Sequence, residues 1–111
     1  MATPTGGSGP ARHPWVVLVV DDEPDVLESV RRLLESSIEG IRVITTTTAR
    51  QGIEALDRER VDLVLSDFKM PGMDGIEFLV QARRLRPGVP RLMFTAFADE
   101  DLARRAMAEA I

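Results

Sequence analysis

The sequence has no cysteine, which excludes a disulfide framework and any thiolate metal site and leaves the redox compartment undetermined. Long hydrophobic runs are missing as well: the longest, Trp15 to Val20, falls far short of the roughly 20 apolar residues a bilayer-spanning helix needs. Residues 1–14 (MATPTGGSGPARHP) lack both a basic start and an apolar stretch, so no secretory signal is read there. Positive charge is not in excess. Fourteen Lys and Arg against 18 Asp and Glu leave a net charge of -4, which argues against direct attraction to nucleic acid or to an anionic membrane. The single histidine, His13, lies in the Gly, Pro, Ser and Thr-rich opening segment and reads as a bystander, not a ligand. A soluble, cytoplasmic protein is the expectation.

What remains is ordinary globular composition, 44% hydrophobic and 29% charged over 111 residues, enough for one domain around one core. Residues 1–14 have too little to bury to offset the entropy of ordering them. They are expected to form a flexible tail, with the folded domain over 15–111. Within that domain the apolar runs WVVLVV (15–20), IRVI (41–44), VDLVL (61–65) and PRLMF (90–94) are strand candidates. The first is apolar throughout, as a strand covered on both sheet faces requires, and is therefore expected to be central.

Amphipathic stretches separate the runs. Pro24 suits a first helical turn, and Val26, Leu27, Val30, Leu33 and Leu34 then share one stripe, giving a helix over about 24–37. Ala49, Ile53 and Leu56 form a shorter stripe capped by Thr47 or Thr48. Asp74 is placed to cap a third helix, with Ile76, Leu79, Val80, Ala82 and Leu85 inward, before Pro87-Gly88 stops it. Asp99 precedes a fourth stripe, Leu102, Ala103, Ala106, Met107, Ala110 and Ile111, that is still running at the last residue. Alternation of strand and helix with right-handed crossovers predicts an α/β fold, a parallel sheet with helices on both faces. Chemistry is then expected at the carboxyl ends of the strands.

Those ends carry Asp21-Asp22 after the first strand, Asp67 after the third and Thr95-Ala96 after the fourth. Three carboxylates on one rim repel one another unless a cation holds them together. Oxygen ligands of this kind suit Mg²⁺, which takes one or two carboxylates plus phosphate oxygens and water. The pattern points to phosphoryl transfer. A lone Asp-Asp pair is weak evidence, because caps and surface loops use aspartate constantly. The segment DFKMPGMDG (67–75) is stronger, since it follows an apolar strand and opens an amphipathic helix. Thr45 to Thr48 is better explained by strand propensity and capping than as a modification site, and Phe68, Met93 and Phe94 by packing. Phe97 is a candidate for the output face.

VLVVDDEPDV (17–26), LVLSDFKMPGMDGIEFL (63–79) and LMFTAF (92–97) resemble, in order and spacing, the three signatures of receiver domains of two-component response regulators. The resemblance covers residues 15–111. It implies a flavodoxin-like, doubly wound parallel sheet of strand order 2-1-3-4, and a signalling module, not an enzyme acting on a separate substrate. That module takes a phosphoryl group from a histidine kinase or phosphotransfer protein. Residue by residue, it implies Asp67 as phosphoacceptor, Asp21 and Asp22 as acidic residues arranging Mg²⁺, and the backbone carbonyl of Lys69 as a further metal ligand. Thr95 is implied as the hydroxyl that bonds the phosphoryl group and moves with its loop, and Ala96 as the small neighbour that leaves room. An output domain or partner protein would meet the fourth-helix face.

The family's fifth strand, with its terminal lysine and its switch aromatic, has no counterpart in these residues, and Lys69 is the only lysine. The expectation is a fragment cut in or after the fourth helix, since no Gly or Pro stops that helix. Such a chain is expected to leave strand four as an edge and to self-associate. Two other functions stay open: a phosphorylation-independent interaction module, and a Mg²⁺-dependent phosphohydrolase. The second would normally have an acid two residues after its nucleophile, where this sequence has Lys69.

Overall fold

The computed structural model describes residues 14–95 and 99–111. His13, Ala96 and Phe97 lie outside the described residues, as does almost all of the expected tail. Four strands alternate with four helices: β1 (Trp15–Val20), α1 (Pro24–Ser37), β2 (Ile41–Thr46), α2 (Ala49–Arg58), β3 (Leu63–Asp67), α3 (Gly75–Leu85), β4 (Arg91–Phe94) and α4 (Glu100–Ala108). The sheet is parallel in the order β2-β1-β3-β4, the order expected.

β1 is central, and the two sets of its side chains enter two separate cores. Val16, Leu18 and Val20 pack with Ala55 and Leu56 of α2 and Phe78 and Leu79 of α3. Val17 and Val19 pack with Leu27 of α1 and Val43 of β2. The sheet is thus covered on both faces, which is why β1 is apolar and buried from Val16 to Val20. α2 approaches closely enough that a β-carbon on Gly52 would lie 2.9 Å from both Phe78 and Val20.

Several local expectations shift. β3 begins at Leu63 and extends through Asp67, two residues later than the apolar run, because the segment before it is held differently: the Val16 amide donates to the Asp62 carboxylate at 2.9 Å. β2 extends through Thr46, and Thr48 caps α2 by accepting from the Gln51 amide. Leu33, assigned to the inward stripe of α1, is 64% exposed, because α1 packs through Leu27, Val30 and Leu34. Val80 of α3 is only half buried, and Phe78 takes the central place instead. α4 does not run to the last residue. Ala110 adopts a left-handed φ of 58°, and the Ile111 and Ala110 amides donate back to the carbonyls of Ala106 and Met107, the pattern of a Schellman cap. Of the expected stripe only Leu102 is buried, while Ala103, Met107, at 77%, and Ala110 are exposed. None of the described helices is long and apolar enough to cross a membrane.

Candidate functional site

The parallel register builds the site. Val20 of β1 pairs with Ser66 of β3, and Asp67 pairs with Phe94 of β4. Asp21, one residue past Val20, therefore lies level with Asp67 at the carboxyl rim, on the same sheet face. One carboxylate oxygen each from Asp21, Asp22 and Asp67 lies within 4.8 Å of the others. The three differ in exposure: Asp21 is buried, Asp67 half buried and Asp22 exposed. With Glu23, Val26, Lys69, Phe94 and Thr95 they line one open cleft. All five residues singled out at sequence level, Asp21, Asp22, Asp67, Lys69 and Thr95, thus border the same space.

Asp21 and Asp67 are each held by a backbone amide. The Glu23 amide donates to Asp21 Oδ1 at 2.8 Å, and the Phe68 amide donates to Asp67 Oδ1 at 2.8 Å. Burial pushes the Asp21 carboxyl above the usual aspartate range; the Glu23 amide opposes this, and the charges of Asp67, Asp22 and Glu23 add to the upward push. A buried carboxylate facing two others favours a positive ion between them. Oxygen donors at this spacing fit a hard divalent cation.

The loop after Asp67 is pinned by α3. The Gly75 amide donates to the Phe68 carbonyl at 2.8 Å, and a β-carbon on Gly75 would overlap the Asp67 carbonyl oxygen. Asp74 forms a capping box with Glu77, each side chain accepting from the other's amide. Gly72, at φ +86°, turns the chain in a conformation that disfavours any side chain. The positioning role of Gly75 was not read from the sequence. A glycine at the first position of a helix, directly behind a strong cap, was the signal available.

A family model described as the response regulator receiver domain matches residues 17–111. This chain belongs to that family. The receiver is 39% identical over 86 residues to the transcriptional regulatory protein GlrR of Escherichia coli K12, covering 78% of this chain and 19% of GlrR. It is 40% identical over 91 residues to the DNA-binding transcriptional regulator NtrC of the same organism, covering 79% of this chain and 18% of NtrC. The chain therefore spans about a fifth of the length of these relatives. Among solved structures, a CheY-like response regulator receiver domain protein from Methanospirillum hungatei superposes with a TM-score of 0.80 at 33% identity, over 86% of this chain and 75% of that one. The family is one of signalling receivers and not a catalytic enzyme family, and the acidic cluster fits its chemistry.

Proposed function

We propose that this receiver carries a phosphoryl group on Asp67. The observation behind this reading is the convergence of three acids on one rim, with Asp67 the member held at the strand end beside both others. One Asp67 carboxylate oxygen attacks phosphorus, the bond from phosphorus to the donor breaks, and its electron pair leaves with the donor, giving an acyl phosphate. Asp21, Asp22, Asp67 and the backbone carbonyl of Lys69 would hold Mg²⁺, which when bound would neutralise charge on the phosphoryl oxygens. The chain's own contribution is orientation. The Phe68 amide fixes one Asp67 oxygen and leaves the other to react. Thr95, bordering the cleft from the end of β4, donates its hydroxyl to the added group and carries that event into the loop beyond. The added group brings roughly two negative charges, which bias the position of α4.

The donor in this reading is a histidine kinase or a phosphotransfer protein, and the partner or output domain meets the α4 face. The test is incubation with acetyl phosphate and Mg²⁺ followed by intact mass. The wild-type chain is expected to gain one phosphoryl group, and Asp67→Asn to gain none. A wild type that stays unmodified would move the reading to phosphorylation-independent binding.

A further inference from the structure

α4 is attached to the body chiefly through one buried apolar side chain, Leu102, and through arginines. Arg105 is placed differently from its neighbour. Arg104 pairs along the helix with Glu100 at 2.8 Å, both largely exposed, whereas Arg105 reaches out of α4 to Asp74 Oδ2 at 3.1 Å. Its guanidinium also lies over the Phe68 ring, 5.7 Å from the centroid. Both targets belong to the loop that follows Asp67. Phe68 is the residue whose amide holds Asp67 Oδ1, and Asp74 uses its other oxygen to cap α3.

We infer that Arg105 is a latch, a positioning residue that ties α4 to the loop directly after Asp67, so that loop and helix loosen as one event. The contacts run in series: Asp67 carboxylate, Phe68 amide, Phe68 ring, Arg105, α4. A change in the group on Asp67 alters the acceptor of the Phe68 amide, and the ring beneath the guanidinium moves with its backbone. Asp74 makes the latch divalent, because the guanidinium can stay paired only while both the acid and the ring keep their places. A half-exposed ion pair alone contributes little. The ring contact adds to it, and the two together correspond to a shift of about three- to fivefold in the opening equilibrium. This inference rests on Asp67 as the phosphoacceptor for its signalling role, but not for the contact itself.

The test is hydrogen exchange by mass spectrometry on the whole chain, before and after treatment with acetyl phosphate and Mg²⁺. Arg105→Gln removes the latch from α4. Asp74→Asn removes the ion-pair half of it on the loop side while keeping an oxygen to cap α3, so that loss of fold does not confuse the result. Both variants are expected to exchange α4 amides about threefold faster or more in the unmodified protein, and to lose most of the α4 response to phosphorylation. Arg104→Gln is expected to match wild type in both. Exchange in Arg105→Gln and Asp74→Asn equal to wild type would overturn the latch, as would a phosphorylation response of wild-type size in either. If wild type gains no phosphoryl group, the role of Asp67 fails, and the latch stands or falls on exchange in the unmodified protein alone.

Discussion

Asp21 and Asp67 face one another across adjacent parallel strands, level in register, with carboxylate oxygens within 4.8 Å. The arrangement costs stability when no cation is present. Asp21 is buried, and that burial, with the neighbouring charges, raises its pKa above the ordinary value. A carboxyl that holds its proton more tightly folded than unfolded destabilises the fold at pH above its folded pKa. The cost fades as pH falls through that value, and is gone below the unfolded pKa. Asp21→Asn is therefore expected to be more stable than wild type at pH 7 in chelator, with the difference shrinking as pH is lowered into the usual carboxylate range. Urea denaturation across pH measures this. Added Mg²⁺ is expected to stabilise this variant less than it stabilises wild type, since one charge of the proposed ligand set is gone. A variant less stable than wild type in chelator at pH 7 would contradict the assigned cost.

Gly75 fixes the backbone on which the Asp67 carboxylate stands. A β-carbon there would overlap the Asp67 carbonyl oxygen and lie 2.9 Å from the Phe68 α-carbon, and both are backbone atoms that cannot rotate away. Gly75→Ala is expected to cost about 2 kcal/mol or more, the range of overpacking in a tight site. It should also slow phosphoryl gain from acetyl phosphate beyond what the fraction unfolded explains, because relief requires the Asp67 carbonyl and the start of α3 to separate. A variant with wild-type melting and wild-type phosphorylation would show that the loop yields at no cost.

The fold and the acidic rim were legible because both follow from local patterns that tertiary packing reinforces. An unbroken apolar β1 specified a strand covered on two faces, and the aspartates that follow β1 and end β3 could only emerge at the carboxyl rim once the strands were parallel. Pro24 and Asp74 marked helix starts for reasons contained within a few residues. Other features depended on partners remote in sequence. Leu33 fits the apolar stripe of α1, yet no described element covers it, and periodicity alone cannot say how wide a face its partner buries. Arg91, at the start of an apolar run, gave no sign that it would be buried, because its acceptors lie on α3 and beyond α4. Arg105 and Arg104 are alike as sequence neighbours, and only the crossing of α4 over the loop separates them.

Gly52 sets the distance between α2 and the sheet. In an exposed helix, replacing an interior glycine with alanine gains about 1 kcal/mol from backbone entropy. Here the new β-carbon would meet Phe78 and Val20 at 2.9 Å, and both side chains are fully buried. Neither can retreat without displacing the core around it, at a cost of about 1–3 kcal/mol. The packing term is expected to prevail. Gly52→Ala should be less stable by about 1 kcal/mol in chemical denaturation, with phosphoryl gain unchanged because the site lies at the rim and not under α2. A stabilised variant would mean that α2 can move outward freely.

Arg91 is the buried cation of the described core, 9% exposed, and it donates to backbone carbonyls. The guanidinium donates to Leu79 O at 2.8 Å, to Glu109 O at 2.7 Å and to Ala110 O at 3.3 Å, joining β4, α3 and the end of α4. Burial, with Arg83 nearby, lowers its pKa, but an arginine stays charged throughout the working range. Two effects oppose one another on replacement by methionine. Losing hydrogen bonds from a charged donor costs about 1.5–3 kcal/mol each, while removing a buried charge returns part of its desolvation. Geometry decides in favour of the first, because methionine matches the stem and supplies no donor to carbonyls at the end of α4 that the helix itself leaves unpaired. Arg91→Met is expected to lose about 2 kcal/mol, with the largest rise in hydrogen exchange at the C-terminal turn of α4. Arg91→Lys should recover little, since one ammonium cannot span acceptors on both helices. A methionine variant as stable as wild type would show that desolvation outweighs the clasp.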